Sequence, residues 1–281
     1  MMVANIPEST RQNNMEWWDA FWLGLTQGIT EFIPVSSSGH LEIMQTILGG
    51  RSDVFHFFLE FINFGTLLVL LFYYRKRIRQ IIQDVFVKHD FKLLVNIVIT
   101  CIPAVILGLL LNDLIDGSPF FSSLTTIAIM MALIGVVMII IDKIPHMKKV
   151  KDETKLDKKR ALYIGLAQAV ALIPGTSRSG STIIAGRLVG MNNKSAADYS
   201  FLVSIPIMCG VILKSLLSEE SRIYIAQNAP MLLLSNIVAF IAGSLAIKWA
   251  LNFLKRDDAL KYFGWYRVIL ATIIIIFQLL K

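Results

Sequence analysis

The chain has 281 residues, 55% of them hydrophobic and 17% charged, with a formal net charge of +7 and a mean hydropathy of +0.64. A soluble domain carries about 25% charged residues, so a string of soluble domains is excluded and residues 1–281 read as one all-α polytopic membrane unit. The basic excess needs no nucleic acid, because lysine- and arginine-rich loops orient membrane helices.

Residues 1–16, "MMVANIPESTRQNNME", are polar, lack the apolar core of a signal peptide and read as an N-terminal tail. Six stretches are apolar and long enough to span a bilayer: 54–74, 93–112, 120–141, 195–217, 230–252 and 264–280. Two more, 17–50 and 161–190, are apolar but interrupted by Pro, Gly and Ser. Cys101 and Cys209 each stand alone in an apolar segment, which argues against a metal site or a disulfide.

Basic residues collect in three loops. The first follows residue 74, the second covers 142–160, and the third, near 255–267, holds Lys255, Arg256, Lys261 and Arg267. Those loops should be cytoplasmic. "NDLIDGSPFFS" and "LSEESRIYIAQNAP" are poor in basic residues and should be external loops. Six crossings satisfy this alternation only if 161–190 enters and leaves on one side, as a re-entrant hairpin would. Both termini are then external.

The two broken segments resemble each other. "LGLTQGITEFIPVSSSG" (23–39) parallels "IGLAQAVALIPGTSRSG" (164–180), with Gly24 matching Gly165, Gln27 matching Gln168, and Pro34 matching Pro174 across a one-residue gap. An odd number of spans separates them, so the two halves, about 17–112 and 161–252, should be an inverted-topology repeat with re-entrant tips meeting near the midplane. Pro34 and Gly39 would break the first hairpin, and Pro174 and Gly175 the second. Non-helical backbone at that depth survives only inside protein or beside water. Each tip starts a new helix, near 37–48 and 179–190, and a helix N-terminus attracts anions.

The residues at the tips suggest phosphate chemistry. Arg178 offers a planar guanidinium suited to phosphate oxygens. Glu31 is ionisable at membrane depth, where such groups are costly and usually functional. His40 follows Ser36, Ser37 and Ser38 within a turn, so a hydroxyl could serve as nucleophile with the imidazole as base; alternatively, His40 activates water directly. Glu31 could orient His40 or hold a divalent cation. Ser36 and Ser38 could equally be helix caps.

These residues resemble the bacterial undecaprenyl-diphosphate phosphatase family, the membrane enzymes linked to bacitracin resistance. One family motif stands as "QGITE" (Gln27–Glu31) running into "FIPVSSSGH", the other as "PGTSRSGST" (Pro174–Thr182), and the likeness extends to "FLVSIPIM" at 201–208. The resemblance implies hydrolysis of a polyprenyl diphosphate in the bacterial cytoplasmic membrane, with Mg²⁺ or Ca²⁺ as cofactor. It implies Ser37 as nucleophile, His40 as its acid or base, Glu31 supporting His40 or a metal, and Gln27 as a metal or supporting ligand. Arg178 would clamp the diphosphate, helped by Gly175, Ser177, Ser179, Thr182, Ser36 and Ser38. Glu60 is less typical of the family and is left open, as is a homodimer.

Two rivals follow from the same features. A carrier of polyprenyl phosphate or phosphate would use the same repeat. A lipid phosphatase of the acid-phosphatase type also uses "SGH" and "SR" motifs. It needs a histidine after the arginine motif, where this chain reads "SGSTII".

Overall fold

The computed structural model describes residues 16–48, 55–116, 118, 120, 121, 123–144, 150 and 153–280. Nearly all of the tail therefore lies outside the described residues, as do Lys148, Lys149 and Lys151 of the second basic loop. Helices follow one another as α1 (Trp17–Glu31), α2 (Ser37–Ile47), α3 (Phe55–Phe61), α4 (Asn63–Tyr73), α5 (Arg75–Phe86), α6 (Lys92–Asp116), α7 (Leu124–Ile141), α8 (Lys158–Val170), α9 (Arg178–Leu188), α10 (Asn193–Leu217), α11 (Glu219–Phe253) and α12 (Ala259–Leu279). No strand occurs among the described residues.

Five helices are long and apolar enough to cross a membrane: α6, α7, α10, α11 and α12. The segment Phe57–Tyr73 passes the same test only together with α5, from which it is bent by 67°. The chain is thus a multi-pass helical membrane protein with five or six spanning candidates. Their outward faces carry bare Leu, Ile, Val and Phe, including Leu109, Leu133, Leu245 and Ile273, which only lipid can cover at low cost.

Several boundaries differ from the sequence reading. The basic stretch after residue 74 is mostly helix α5, not a loop. "LSEESRIYIAQNAP", expected as an external loop, is almost entirely the first part of α11. The helix is interrupted at Asn228 (φ −113°, ψ 17°), two residues before Pro230, whose ring lacks the N–H that would continue the ladder. "NDLIDGSPFFS" is helical through Asp116, and part of the remainder lies outside the described residues. Helix α12 begins at Ala259, so Lys261 and Arg267 are helical, and Arg267 is 0% exposed rather than in a loop.

Packing repeats itself along the chain. A Cβ on Gly24 of α1 would strike the backbone carbonyl of Ser235 in α11, and one on Gly165 of α8 would lie 2.7 Å from that of Thr100 in α6. The glycines let the helix backbones touch, which is how membrane helices gain contact where lipid is as apolar as leucine. Gly135 of α7 and Gly264 of α12 face each other in the same manner. One pair, α1 on α11, is thus matched by another, α8 on α6, and α7 packs on α12.

The two interrupted segments match in register without a gap. Residues 23–39 and 164–180 have equal length, so Pro34 falls opposite Gly175, not Pro174. Each break turns on a serine with positive φ: Ser36 at 79° and Ser177 at 74°. Non-glycine residues rarely adopt such values. Each serine offsets the cost by capping the next helix, its hydroxyl accepting from Gly39 N at 3.3 Å and Gly180 N at 3.1 Å. Gly39, expected to break the helix, lies inside α2. Its lack of a side chain is needed for packing, since a Cβ would meet Met131 and Ile127 of α7.

Candidate active site

Glu31 is the last residue of α1 and is 8% exposed. Ser37 and Arg178 are the first residues of α2 and α9. The two turns bring all three together. Arg178 Nη2 donates to Glu31 Oε1 in an ion pair. The Ser37 hydroxyl donates to Glu31 Oε2 at 2.6 Å, and Gln27 Nε2 donates to the same oxygen at 3.1 Å. Gln27 also reaches Asn63 Oδ1 at 2.9 Å and Thr66 Oγ1 at 3.4 Å. One carboxylate is therefore shared by a cation, a hydroxyl and an amide.

His40 is placed differently from expectation. Its Nδ1 lies 2.7 Å from the Ser36 carbonyl and its Nε2 2.7 Å from the Tyr266 hydroxyl. A carbonyl can only accept, so Nδ1 carries a proton. In the neutral ring Nε2 then accepts from Tyr266, whose ring stacks on the imidazole at 5.7 Å with 6° between planes. Neither nitrogen is paired with Ser37 or with Glu31. The reason is local: Ser37, at the start of α2, points back to the end of α1, whereas the imidazole is drawn to the preceding turn's carbonyl and to α12.

The remaining predicted residues surround this centre. Ser36 and Ser177 are caps, and Ser38 and Ser179 lie 3.3 and 3.4 Å from their hydroxyls. Thr182 bonds the Arg178 and Ser179 carbonyls and sits 2.6 Å from the Ser200 hydroxyl. Gly175 has φ +87°, and a Cβ there would collide with the backbone of Ile127 in α7. The Glu60 carboxylate accepts from the Ser215 hydroxyl of α10.

At equal register the two halves carry different chemistry: Glu31 opposes Leu172, Ser37 opposes Arg178, and His40 opposes Ser181. One half brings the carboxylate, hydroxyl and imidazole, the other the cation. Facing helix N-termini add positive potential, and Glu31 is placed to take a proton from the hydroxyl that touches it.

Sequence reasoning missed three participants. Asn63 and Thr66 stand in α4 and hold Gln27, outside both motifs. Tyr266 carried no local signal. Among the described residues no cluster of three or more His, Cys, Asp or Glu could hold a metal ion.

Residues 20–273 match the family described as Bacitracin resistance protein BacA. The undecaprenyl-diphosphatase of Acinetobacter baumannii (strain ATCC 17978) is 35% identical over 268 residues, spanning 94% of this chain and 96% of that protein. Those of Nitrosospira multiformis and Desulfitobacterium hafniense are each 32% identical, over 93% and 94% of this chain and 96% of each relative. With a family match across most of its length and relatives at this identity, the chain belongs to the BacA (bacitracin resistance protein) family.

Proposed function

We infer that the chain is an undecaprenyl-diphosphate phosphatase: it hydrolyses the lipid diphosphate to the monophosphate and phosphate, recycling the carrier lipid of cell-wall synthesis and conferring bacitracin resistance. The observation that carries this is Glu31 sharing its carboxylate between Arg178 and Ser37 at the meeting of two helix N-termini. In the reaction the diphosphate's terminal phosphate takes the place of Glu31 on Arg178. Glu31 accepts the Ser37 proton as Ser37 Oγ attacks phosphorus. The anhydride P–O bond breaks, and the polyprenyl monophosphate leaves with its electron pair. Water then attacks the serine phosphate, the P–Oγ bond breaks, Glu31 returns its proton to the Ser37 oxygen, and the phosphate leaves carrying the water's oxygen and protons. Arg178 and the helix N-termini stabilise the charge on the transferred phosphoryl group. His40 has both ring nitrogens engaged, Nδ1 on the Ser36 carbonyl and Nε2 on the Tyr266 hydroxyl, so it reaches the water of the second step through that hydroxyl.

A divalent cation fits this site only as a partner of the substrate. The protein supplies one carboxylate, Glu31, with Gln27 beside it, and Mg²⁺ commonly binds through one or two carboxylates plus phosphate oxygens. Such an ion, Mg²⁺ or Ca²⁺, would neutralise charge on the diphosphate.

The matched packing of α1–α11 and α8–α6 supports an inverted repeat in which α1–α2 and α8–α9 are re-entrant hairpins from opposite sides. Phe57–Tyr73 then makes the sixth crossing and α5 lies along the cytoplasmic surface. Both termini are external, in the bacterial cytoplasmic membrane. Trp17, Trp18 and Trp22, exposed at the start of α1, suit an interfacial aromatic belt. The same repeat suits a carrier, and purified protein in detergent separates the two. An enzyme releases phosphate from undecaprenyl diphosphate with no membrane present, whereas a protein that only moves lipid releases none.

A further inference from the structure

Arg267 stands in the middle of α12 with 0% of its surface exposed. Nothing acidic accepts from it among its hydrogen bonds. Nε donates to the Met131 carbonyl of α7 at 3.1 Å, and Nη1 to the Pro34 carbonyl at 3.3 Å. Nη2 donates to the carbonyls of Gly175 and Thr176 at 2.7 and 3.0 Å. A fully buried side chain of this charge is costly unless paired. Here the compensation comes from four backbone carbonyls in three separate segments. Two of those segments are the turns that precede α2 and α9.

We propose that Arg267 is a positioning residue for the phosphatase reaction: by gripping Pro34 on one turn and Gly175 and Thr176 on the other, it sets the N-termini of α2 and α9 in the mutual register that brings Ser37 and Arg178 to the same carboxylate. The proposal rests on the phosphatase reading for its kinetic consequence and on geometry alone for its structural one. Pro34 lies three residues before Ser37, and Gly175 and Thr176 lie three and two before Arg178, so a shift of either turn is passed directly to a reacting side chain. The planar fork matters, because its donors diverge from one rigid plane to both turns at once. A lysine ammonium carries the charge but is a point, so it serves one turn or the other. Arg267 makes no hydrogen bond to Glu31, Ser37, His40 or Arg178; all of its hydrogen bonds go to backbone carbonyls. Helix α7 supports the arrangement, since its Ile127 backbone abuts Gly175 and its Ile127 and Met131 side chains abut Gly39.

The test uses full-length protein carrying Arg267→Lys, Arg267→Gln or Arg267→Met, purified in detergent. Two readouts separate positioning from folding. In kinetics, a folded Arg267→Lys loses about 10- to 100-fold in kcat with KM changed less than about threefold, since misplacement by about 1 Å costs on that order. In spin-label distance measurements, labels at Ile47→Cys and Leu188→Cys, at the exposed far ends of α2 and α9, are introduced with Cys101→Ser and Cys209→Ser. They give one narrow distance in the otherwise native protein and a broadened or displaced one with Arg267→Lys.

An unchanged distance distribution in a folded variant overturns the proposal, as does a kcat within about twofold of the native value. If none of the three substitutions folds, Arg267 is a determinant of the whole fold and the positioning claim is likewise overturned. Absence of turnover in the native protein would count against the phosphatase reading alone, and the distance measurement would still decide the role of Arg267.

Discussion

Replacing Glu31 by glutamine probes the centre with the least change of shape. In the native site Oε1 accepts from Arg178, while Oε2 accepts from Ser37 at 2.6 Å and Gln27 at 3.1 Å. A glutamine offers one oxygen and one NH₂. If the NH₂ faces Arg178, donor meets donor; if it faces Ser37 and Gln27, the Ser37 hydroxyl loses its acceptor. Either way at least one charge-assisted bond is lost, about 1.5–3 kcal/mol each, and Arg178 is left without its anion. The pair is not sealed from solvent, with side chains 21% and 9% exposed, so the stability loss should fall below the roughly 3–5 kcal/mol of a fully buried pair. Activity should suffer more. Loss of a positioned base costs about 10²- to 10⁴-fold, and no other carboxylate touches Ser37 among its described hydrogen bonds. Initial rates of phosphate release from undecaprenyl diphosphate, with melting temperature measured on the same preparation, decide it. The expected result is kcat lowered at least about 100-fold with KM not raised, since Arg178 is freer to bind the diphosphate. A folded Glu31→Gln protein retaining kcat within tenfold would refute Glu31 as the proton acceptor.

Tyr266→Phe keeps the stack on His40 but removes the hydroxyl from Nε2. An unsatisfied ring nitrogen costs about 1–3 kcal/mol when buried, and Tyr266 is 46% exposed, so water recovers part of this. A fall in kcat of about three- to tenfold is expected, and a rate equal to native would show that the contact does not orient His40. Gly165→Leu should force α8 off the Thr100 backbone. Overpacking costs about 1–3 kcal/mol and more against a main chain, so a clear drop in melting temperature is expected, and an unchanged one would show that this approach is not tight. A chelator added during turnover should lower the rate, with recovery on returning Mg²⁺ or Ca²⁺; turnover indifferent to chelation would remove the cation from the mechanism.

The legible parts of this protein were those written in local pattern. Apolar runs mark five or six spanning candidates, and the prolines with their flanking serines mark the turns. The likeness of 23–39 to 164–180 puts the two turns in correspondence, and Glu31, Ser37 and Arg178 do meet. What stayed hidden depends on contacts distant along the chain. The clustering of basic residues assigns Arg267 to a loop, whereas the carbonyls that receive it are more than 90 positions away. Tyr266 is 226 residues from His40, and nothing in "GWYRV" announces the pairing. The pairing of Ser37 with His40 was inferred from closeness along the helix. The structure gives Ser37 to Glu31 instead, because an N-terminal residue of α2 looks back across the turn. Positive φ at Ser36 and Ser177 was also invisible, since serine ordinarily avoids it.

The central claim is that Ser37 takes the phosphoryl group while Glu31 takes its proton and Arg178 holds the charge. It is tested most directly by mixing excess purified protein with undecaprenyl diphosphate labelled in its terminal phosphate, quenching in acid before one turnover is complete, and mapping the label by peptide mass spectrometry. The account predicts phosphate on Ser37 and on no other residue, absent from Ser37→Ala, which also fails to turn over. Phosphate release at the native rate by Ser37→Ala would contradict it.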